Sequence, residues 1–78
     1  MPDEVNDPWY CALRRRRLLE MLDGLPPRAW ILVENSYVAQ AIGLNNSQTF
    51  EDTLVSLADS TGCDADLREK NTLFKKRR

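Results

Sequence analysis

Apolar residues near the start of the chain recur at helical spacing and predict an amphipathic helix over residues 8–23. Its apolar stripe consists of Cys11, Leu18 and Leu22, with Leu19 and Met21 at the edges. Asp7 is a favourable N-cap, and Pro8 occupies the first helical position, where a missing N–H costs nothing. Gly24 offers a left-handed C-terminal cap, and the two prolines that follow it prevent continuation of the helix.

Trp9 and Leu13 lie on the side of this helix that is opposite the apolar stripe. A helix with one core-facing side does not need a second apolar patch. Either a neighbouring segment of the chain covers these two residues, or they form a partner interface. The sequence leaves both interpretations open.

The apolar run at residues 30–33 is too short for periodicity to distinguish a strand from a helix. The polar pair Asn35-Ser36 is typical of a helix start, which favours a short strand at 30–33 and a second helix at about 36–42. The inward-facing residues of that helix are predicted to be Val38, Ala39 and Ile42. The alternative is one long helix over residues 27–42.

A third amphipathic helix is predicted to start at Asn46 or Ser47 and to end at Gly62. Its core-facing residues recur at i, i+4, i+7 and i+8 and are Phe50, Leu54, Leu57 and Ala58. The segment that follows alternates apolar and polar residues on both sides of a polar pair at 70–71. This pattern predicts a β-hairpin over about residues 63–76.

The predicted order is helix, short strand, helix, turn, helix and hairpin, which is the order of a winged helix-turn-helix domain. The fold class is therefore mostly α with a small β-hairpin (α+β), with three helices and one wing. We expect a flexible acidic N-terminus over residues 1–7 and a single domain over residues 8–78. The wing spans about 63–76, and a basic C-terminal tail covers 75–78.

Charge is distributed unevenly, although the net charge is only −1. Residues 1–7 carry three acids, and residues 8–28 carry five arginines against two acids. Residues 29–66 carry six acids and no base, whereas residues 67–78 carry six bases against one acid. Both ends of the predicted domain are thus basic and its middle is acidic.

The two central helices and their corner resemble the N-terminal DNA-binding domain of the LexA repressor family. The residues that carry this resemblance are Ala39, Gly43, Leu44, Glu51, Leu54, Leu57, Ala58 and Gly62. The resemblance covers about residues 14–74, and the segment 29–34 is longer than the family needs. Nothing in the chain resembles the family's self-cleavage domain. The resemblance implies a winged-helix fold and DNA binding, and it does not imply an SOS repressor.

In such a domain the start of the third helix presents polar side chains to base edges in the major groove. The candidate base-reading residues are Asn45, Asn46, Ser47, Gln48 and Thr49, whose amides and hydroxyls suit that task. The candidate phosphate-binding residues are Arg14, Arg15, Arg68, Lys70, Lys75, Lys76, Arg77 and Arg78. The same polar run would also serve as an ordinary turn with an N-cap.

These features predict a small DNA-binding transcriptional regulator, such as a phage or plasmid repressor, that binds double-stranded DNA as a homodimer. The alternative is a winged-helix adaptor or inhibitor that binds a protein partner and does not read DNA, with RNA binding as a lesser possibility. The acidic N-terminus is unlike a signal peptide, and no apolar run approaches the ~18 residues of a membrane helix. We therefore expect a cytoplasmic protein without membrane contact.

Catalysis is not expected, because general acid–base chemistry needs paired groups in a pocket and the chain has no histidine. Asp64 and Asp66 alternate as on a strand and are expected to be a solvated edge. Cys11 and Cys63 lie far apart and cannot build a tetrahedral zinc site. Both are expected to be reduced, with a disulfide as the alternative. No cofactor and no metal are expected.

Overall fold

The computed structural model describes residues 8–43 and 47–78. In chain order the elements are α1 (Pro8–Asp23), β1 (Trp30–Glu34), α2 (Asn35–Ile42), α3 (Ser47–Ser60), β2 (Cys63–Leu67) and β3 (Asn71–Lys76). Three helices and one antiparallel sheet form an α+β fold, as the sequence predicts, and this arrangement is consistent with a winged helix. Residues 30–34 form a strand rather than the first turns of a long second helix.

The sheet has the strand order β1-β3-β2, so the last strand lies in the centre. Trp30 is opposite Lys75 in the β1–β3 pair, and Asp64 is opposite the same lysine in the β2–β3 pair. β3 continues through Lys76, so only Arg77 and Arg78 follow the last strand. The first half of the predicted basic tail over 75–78 therefore belongs to β3, because Lys75 and Lys76 both pair with neighbouring strands.

The hydrophobic core lies between the sheet and the three helices. Its buried residues are Leu18, Leu22, Val33, Val38, Ala41, Ile42, Leu54, Ala58, Cys63 and Phe74. Ala41 is fully buried whereas Ala39 is only half-buried. The inward face of α2 therefore includes Ala41 in place of the predicted Ala39. Cys11 is half-buried and Cys63 is buried, and the two form no disulfide with each other.

The first helix ends at the predicted residue but by a different mechanism. Gly24 donates its N–H to the Glu20 carbonyl at 3.0 Å, and it is not among the glycines with positive φ. A Cβ at this position would lie 3.1 Å from the Glu20 oxygen, so the glycine permits a close approach of backbone. The left-handed cap appears instead after α2, where Gly43 has φ 68° and donates to the Ala39 carbonyl.

A tight turn leads from α1 into β1. Ala29 donates its N–H to the Pro26 carbonyl at 3.0 Å, and Arg28 has φ 67°. Proline at the second position and a positive φ at the third define a type II turn. Glycine or asparagine normally occupies that third position, and an L-residue with a Cβ costs about 1–2 kcal/mol there.

Candidate nucleic-acid interface

The corner between α2 and α3 is where the sequence predicts base reading. Asn45 and Asn46 lie outside the described residues. Ser47, Gln48 and Thr49 form the first turn of α3, which therefore starts at one of the two predicted positions.

Arg15 lies beside this corner. Its Nε donates a 3.2 Å hydrogen bond to the carbonyl of Ala41, in the last turn of α2. Arg14 is half-buried, and its guanidinium carbon lies 5.3 Å from the centre of the Tyr10 ring. One terminal nitrogen of Arg14 is buried and has no hydrogen-bond partner among the described residues. The structure thus brings Arg15, one of the two predicted phosphate contacts of α1, close to the corner that precedes α3, whereas Arg14 packs on Tyr10 within α1.

The hairpin turn is attached to the start of α2. The N–H of Asn35 donates to the Lys70 carbonyl at 2.8 Å, and its Nδ2 donates to the Arg68 carbonyl at 2.9 Å. Arg68 directs Nε and a terminal nitrogen to the Asp66 carboxylate, at 3.2 and 3.1 Å. Lys70 is exposed. Lys70 therefore presents a positive charge at the turn that has no ion pair among the described residues, whereas the charge of Arg68 is offset by Asp66.

The ammonium group of Lys76 is committed to the fold. Its Nζ donates to the carbonyls of Leu22 at 3.1 Å, Asp23 at 3.0 Å and Thr61 at 3.0 Å. Leu22 and Asp23 are the last residues of α1, so the lysine satisfies carbonyls that have no partner within the helix. All three donors are used, and the arrangement indicates a structural role rather than the predicted phosphate contact.

Arg77 connects the end of α3 with β2. Its guanidinium binds the carboxylates of Asp59 and Asp64, the latter at 2.8 Å from Nε. The hydrogen bonds to Asp64 and then Asp59 raise the pKa of Arg77 above its ordinary value. The backbone N–H of Arg77 also donates to the Gly62 carbonyl. The two carboxylates offset the positive charge of Arg77, which weakens its attraction for a phosphate.

Arg28, Lys75, Lys76 and Arg77 form a basic cluster around the contacts of Lys76 and Arg77. An open cavity of about 310 Å³ is lined by Arg28, Asp64, Lys75, Lys76 and Arg77. Within it, Arg28 and Lys75 are exposed and have no ion pair among the described residues. Arg28 was not among the residues predicted from the sequence. The available signal was its place after Pro27 in a turn that normally takes glycine.

The corner and the basic cluster lie at opposite ends of α3. The Arg77 contacts fix the cluster beside Asp59 and Gly62, at the C-terminal end of the helix. A helix of 14 residues is about 21 Å long, at about 1.5 Å per residue. Cations therefore lie beside the C-terminal end of α3 and beside the last turn of α2, which precedes α3, with Lys70 near the start of α2.

Between these groups the exposed face of α3 is acidic. Within residues 50–60 of this helix the exposed residues are Glu51, Asp52, Val55, Ser56, Asp59 and Ser60. Asp59 is neutralised by Arg77, whereas Glu51 and Asp52 have no ion pair among the described residues. The middle of the helix therefore repels phosphates.

The predicted partner interface near the start of α1 is partly exposed. Trp9 retains 64% of its surface, and its ring meets Tyr10 edge-on, with centroids 5.1 Å apart. Leu13 is half-buried. Trp9 is therefore more exposed than Leu13 and supplies most of the accessible apolar surface of the pair.

The chain matches no family model, no curated protein and no solved structure. The resemblance to the LexA family therefore remains an expectation. Across residues 8–43 and 47–78 there is no group of three or more acidic or cysteine side chains placed to hold a metal ion. Within the same ranges no helix has the length and apolar character needed to cross a bilayer.

Proposed function

We propose that the protein is a small cytoplasmic transcriptional regulator that binds double-stranded DNA. The observation that carries the proposal is the position of the cations at the two ends of α3. Arg15 is fixed beside the corner, and the basic cluster is fixed beside the last turn. A helix of about 21 Å that lies obliquely in a major groove about 12 Å wide brings its ends close to opposite phosphate strands.

In this arrangement the two ends provide affinity and the corner provides specificity. The proposed phosphate contacts are Arg14, Arg15, Arg28, Lys70, Lys75 and Arg78. Asn45, Asn46, Ser47, Gln48 and Thr49 remain the proposed base-reading residues, since amides and hydroxyls match adenine and other base edges. The carboxylates of Glu51 and Asp52 would accept hydrogen bonds from cytosine amino groups, which are donors in the major groove.

The strained backbone of Arg28 supports the same proposal. Arg28 adopts φ 67° in a turn where glycine would relieve the strain. Residues held in such conformations concentrate at functional sites, because the side chain is needed where the backbone disfavours it. At Arg28 the side chain supplies an exposed positive charge to the basic cluster.

Titration of binding to duplex DNA at several salt concentrations tests the proposal. The logarithm of the binding constant should fall linearly with the logarithm of salt, with a slope of about −0.9 for each phosphate contact. A pool of random duplexes followed by selection would show whether any sequence is preferred. Absence of binding at low salt, or an affinity that salt does not change, would overturn the proposal.

A second candidate function is protein binding, and the acidic face of α3 is the observation that favours it. A surface that combines Glu51, Asp52 and the 45% exposed Val55 suits a basic, partly apolar protein partner. The double variant Glu51→Gln/Asp52→Asn distinguishes the two functions. If α3 faces DNA, removal of the repulsion should strengthen non-specific binding. If α3 faces protein, the variant should weaken partner capture and leave DNA unbound.

A further inference from the structure

β1 is an edge strand whose outer edge is not paired within the described part of the chain. Lys76 donates its N–H to the Ala29 carbonyl, and Asn35 donates its N–H to the Lys70 carbonyl. In an antiparallel pair the hydrogen-bonded positions alternate, so residues 29, 31, 33 and 35 direct their amides toward β3. Trp30, Leu32 and Glu34 consequently direct their N–H groups away from the sheet.

The side chains of the same residues are exposed on the outer face of the sheet. Trp30 retains 64% of its surface and Leu32 retains 48%. Natural edge strands normally avoid pairing with other chains by means of lysine, proline, a bulge or a covering element. β1 carries none of these residues within Trp30–Glu34, and its single charge, Glu34, lies at its last position.

An open apolar groove runs along this edge on the inner side. It has a volume of about 410 Å³ and is lined by Met21, Ile31, Leu32, Val33, Glu34 and Tyr37. Four of its lining residues belong to β1, so a strand that pairs with this edge would also contact the groove. An added strand gains main-chain hydrogen bonds from the edge and side-chain contacts from the groove.

The sequence of β1 is complementary to itself in an antiparallel pair. A twofold axis at Leu32, the central residue of the five, places Leu32 of one copy opposite Leu32 of the other. The same axis places Trp30 opposite Glu34, so no charge faces a like charge. The outward N–H of Leu32 in each copy donates to the Leu32 carbonyl of the other, and Glu34 N–H donates to the Trp30 carbonyl.

We infer that two copies of this chain associate through β1 and join their three-stranded sheets into one continuous six-stranded antiparallel sheet. The occupant of the edge is a second copy because β1 paired with itself satisfies its outward amides, places Leu32 against Leu32 and brings no like charges together. This inference concerns assembly and does not depend on DNA binding.

The experiment measures molar mass by sedimentation over a wide range of protein concentration, without DNA. The wild-type chain should show a reversible monomer–dimer equilibrium. Leu32→Lys places two like charges opposite each other at the axis and should raise the dissociation constant by at least about tenfold. Leu67→Lys is the matched control, since Leu67 is 38% exposed on β2, the opposite edge strand of the sheet, and it should leave the equilibrium unchanged.

A charge exchange locates the interface independently of any decrease in stability. Leu32→Lys and Leu32→Glu should each be monomeric alone and should form a one-to-one heterodimer when mixed, because lysine then faces glutamate. A monomeric wild-type chain at every concentration would overturn the inference, as would a Leu32→Lys chain that still dimerises. Binding of an unrelated extended peptide to a monomeric wild-type chain would overturn it too, because the edge would then have a different occupant.

Discussion

Asn35 accepts a 2.6 Å hydrogen bond from the hydroxyl of Thr72, which joins the first residue of α2 to the central strand of the sheet. Thr72 is fully buried, and its hydroxyl lies where water does not reach it. Asn35 also donates to two carbonyls of the hairpin turn, at Arg68 and Glu69. One side chain therefore fixes both the start of α2 and the position of the hairpin.

Replacement of Asn35 by alanine should reduce the free energy of unfolding by about 1–3 kcal/mol, because the Thr72 hydroxyl would be left without a partner. Urea unfolding followed by circular dichroism measures the change. Thr72→Val removes the hydroxyl with little change of shape and serves as the second arm of a double-mutant cycle. Additive effects in the double variant would show that the two residues do not interact.

Lys75 and Lys76 should behave in opposite ways, although they are neighbours on β3. Lys76→Met removes the hydrogen bonds to the end of α1 and should lower stability by about 1.5–3 kcal/mol. Lys75→Met removes an exposed charge and should change stability by no more than about 0.5 kcal/mol. Thermal unfolding of the two variants measures the difference.

The same two variants separate folding from DNA binding. Lys75→Met should reduce the salt slope of DNA binding by about 0.9, which corresponds to the removal of one phosphate from the interface. Lys76→Met should leave that slope unchanged at a temperature where the variant is folded. An equal reduction of the slope in both would mean that Lys76 leaves its carbonyls to bind phosphate.

Arg28→Gly should make the protein more stable and weaken its binding to DNA. Glycine relieves about 1–2 kcal/mol of backbone strain and costs about 0.5–1 kcal/mol in unfolded-chain entropy, which leaves a gain of about 0–1.5 kcal/mol. Arg28→Ala removes the same charge and retains the strain. Both variants should therefore bind DNA equally weakly, and only the glycine variant should gain stability in urea unfolding.

Asp64→Asn should strengthen DNA binding. The Asp64 carboxylate holds Arg77 and lies in the basic cluster, where it opposes phosphate. Removal of one charge about 7 Å from a phosphate is worth roughly 0.6 kcal/mol in water, or about threefold in affinity. Glu20→Gln changes the net charge equally at a distant exposed pair with Arg16 and should have a smaller effect. Equal effects would indicate that only net charge matters.

The elements were predictable because their signals are local. Pro8 and Gly43 mark helix ends through their own backbone preferences, and the alternation after Gly62 marks the hairpin. The positions of the charges were not predictable, because they depend on which distant segments meet. Lys76 is half-buried only because the end of α1 lies beside β3. The role of Arg28 is indicated by its backbone conformation, and arginine has no preference for that conformation from which it could be predicted.

Substitutions in the corner between α2 and α3 test whether this segment reads bases. Asn46→Ala and Gln48→Ala should each lower discrimination between a preferred and a scrambled duplex, by about 1–3 kcal/mol for each bidentate hydrogen-bonded pair that is removed. Their effect on stability should be small, apart from about 1 kcal/mol if Asn46 caps α3. The salt slope should stay unchanged, because neither residue is charged. Competition between the two duplexes in fluorescence anisotropy measures the ratio. If the ratio is unchanged while DNA still binds, the corner does not read bases, and DNA is held only by the basic groups at the two ends of α3.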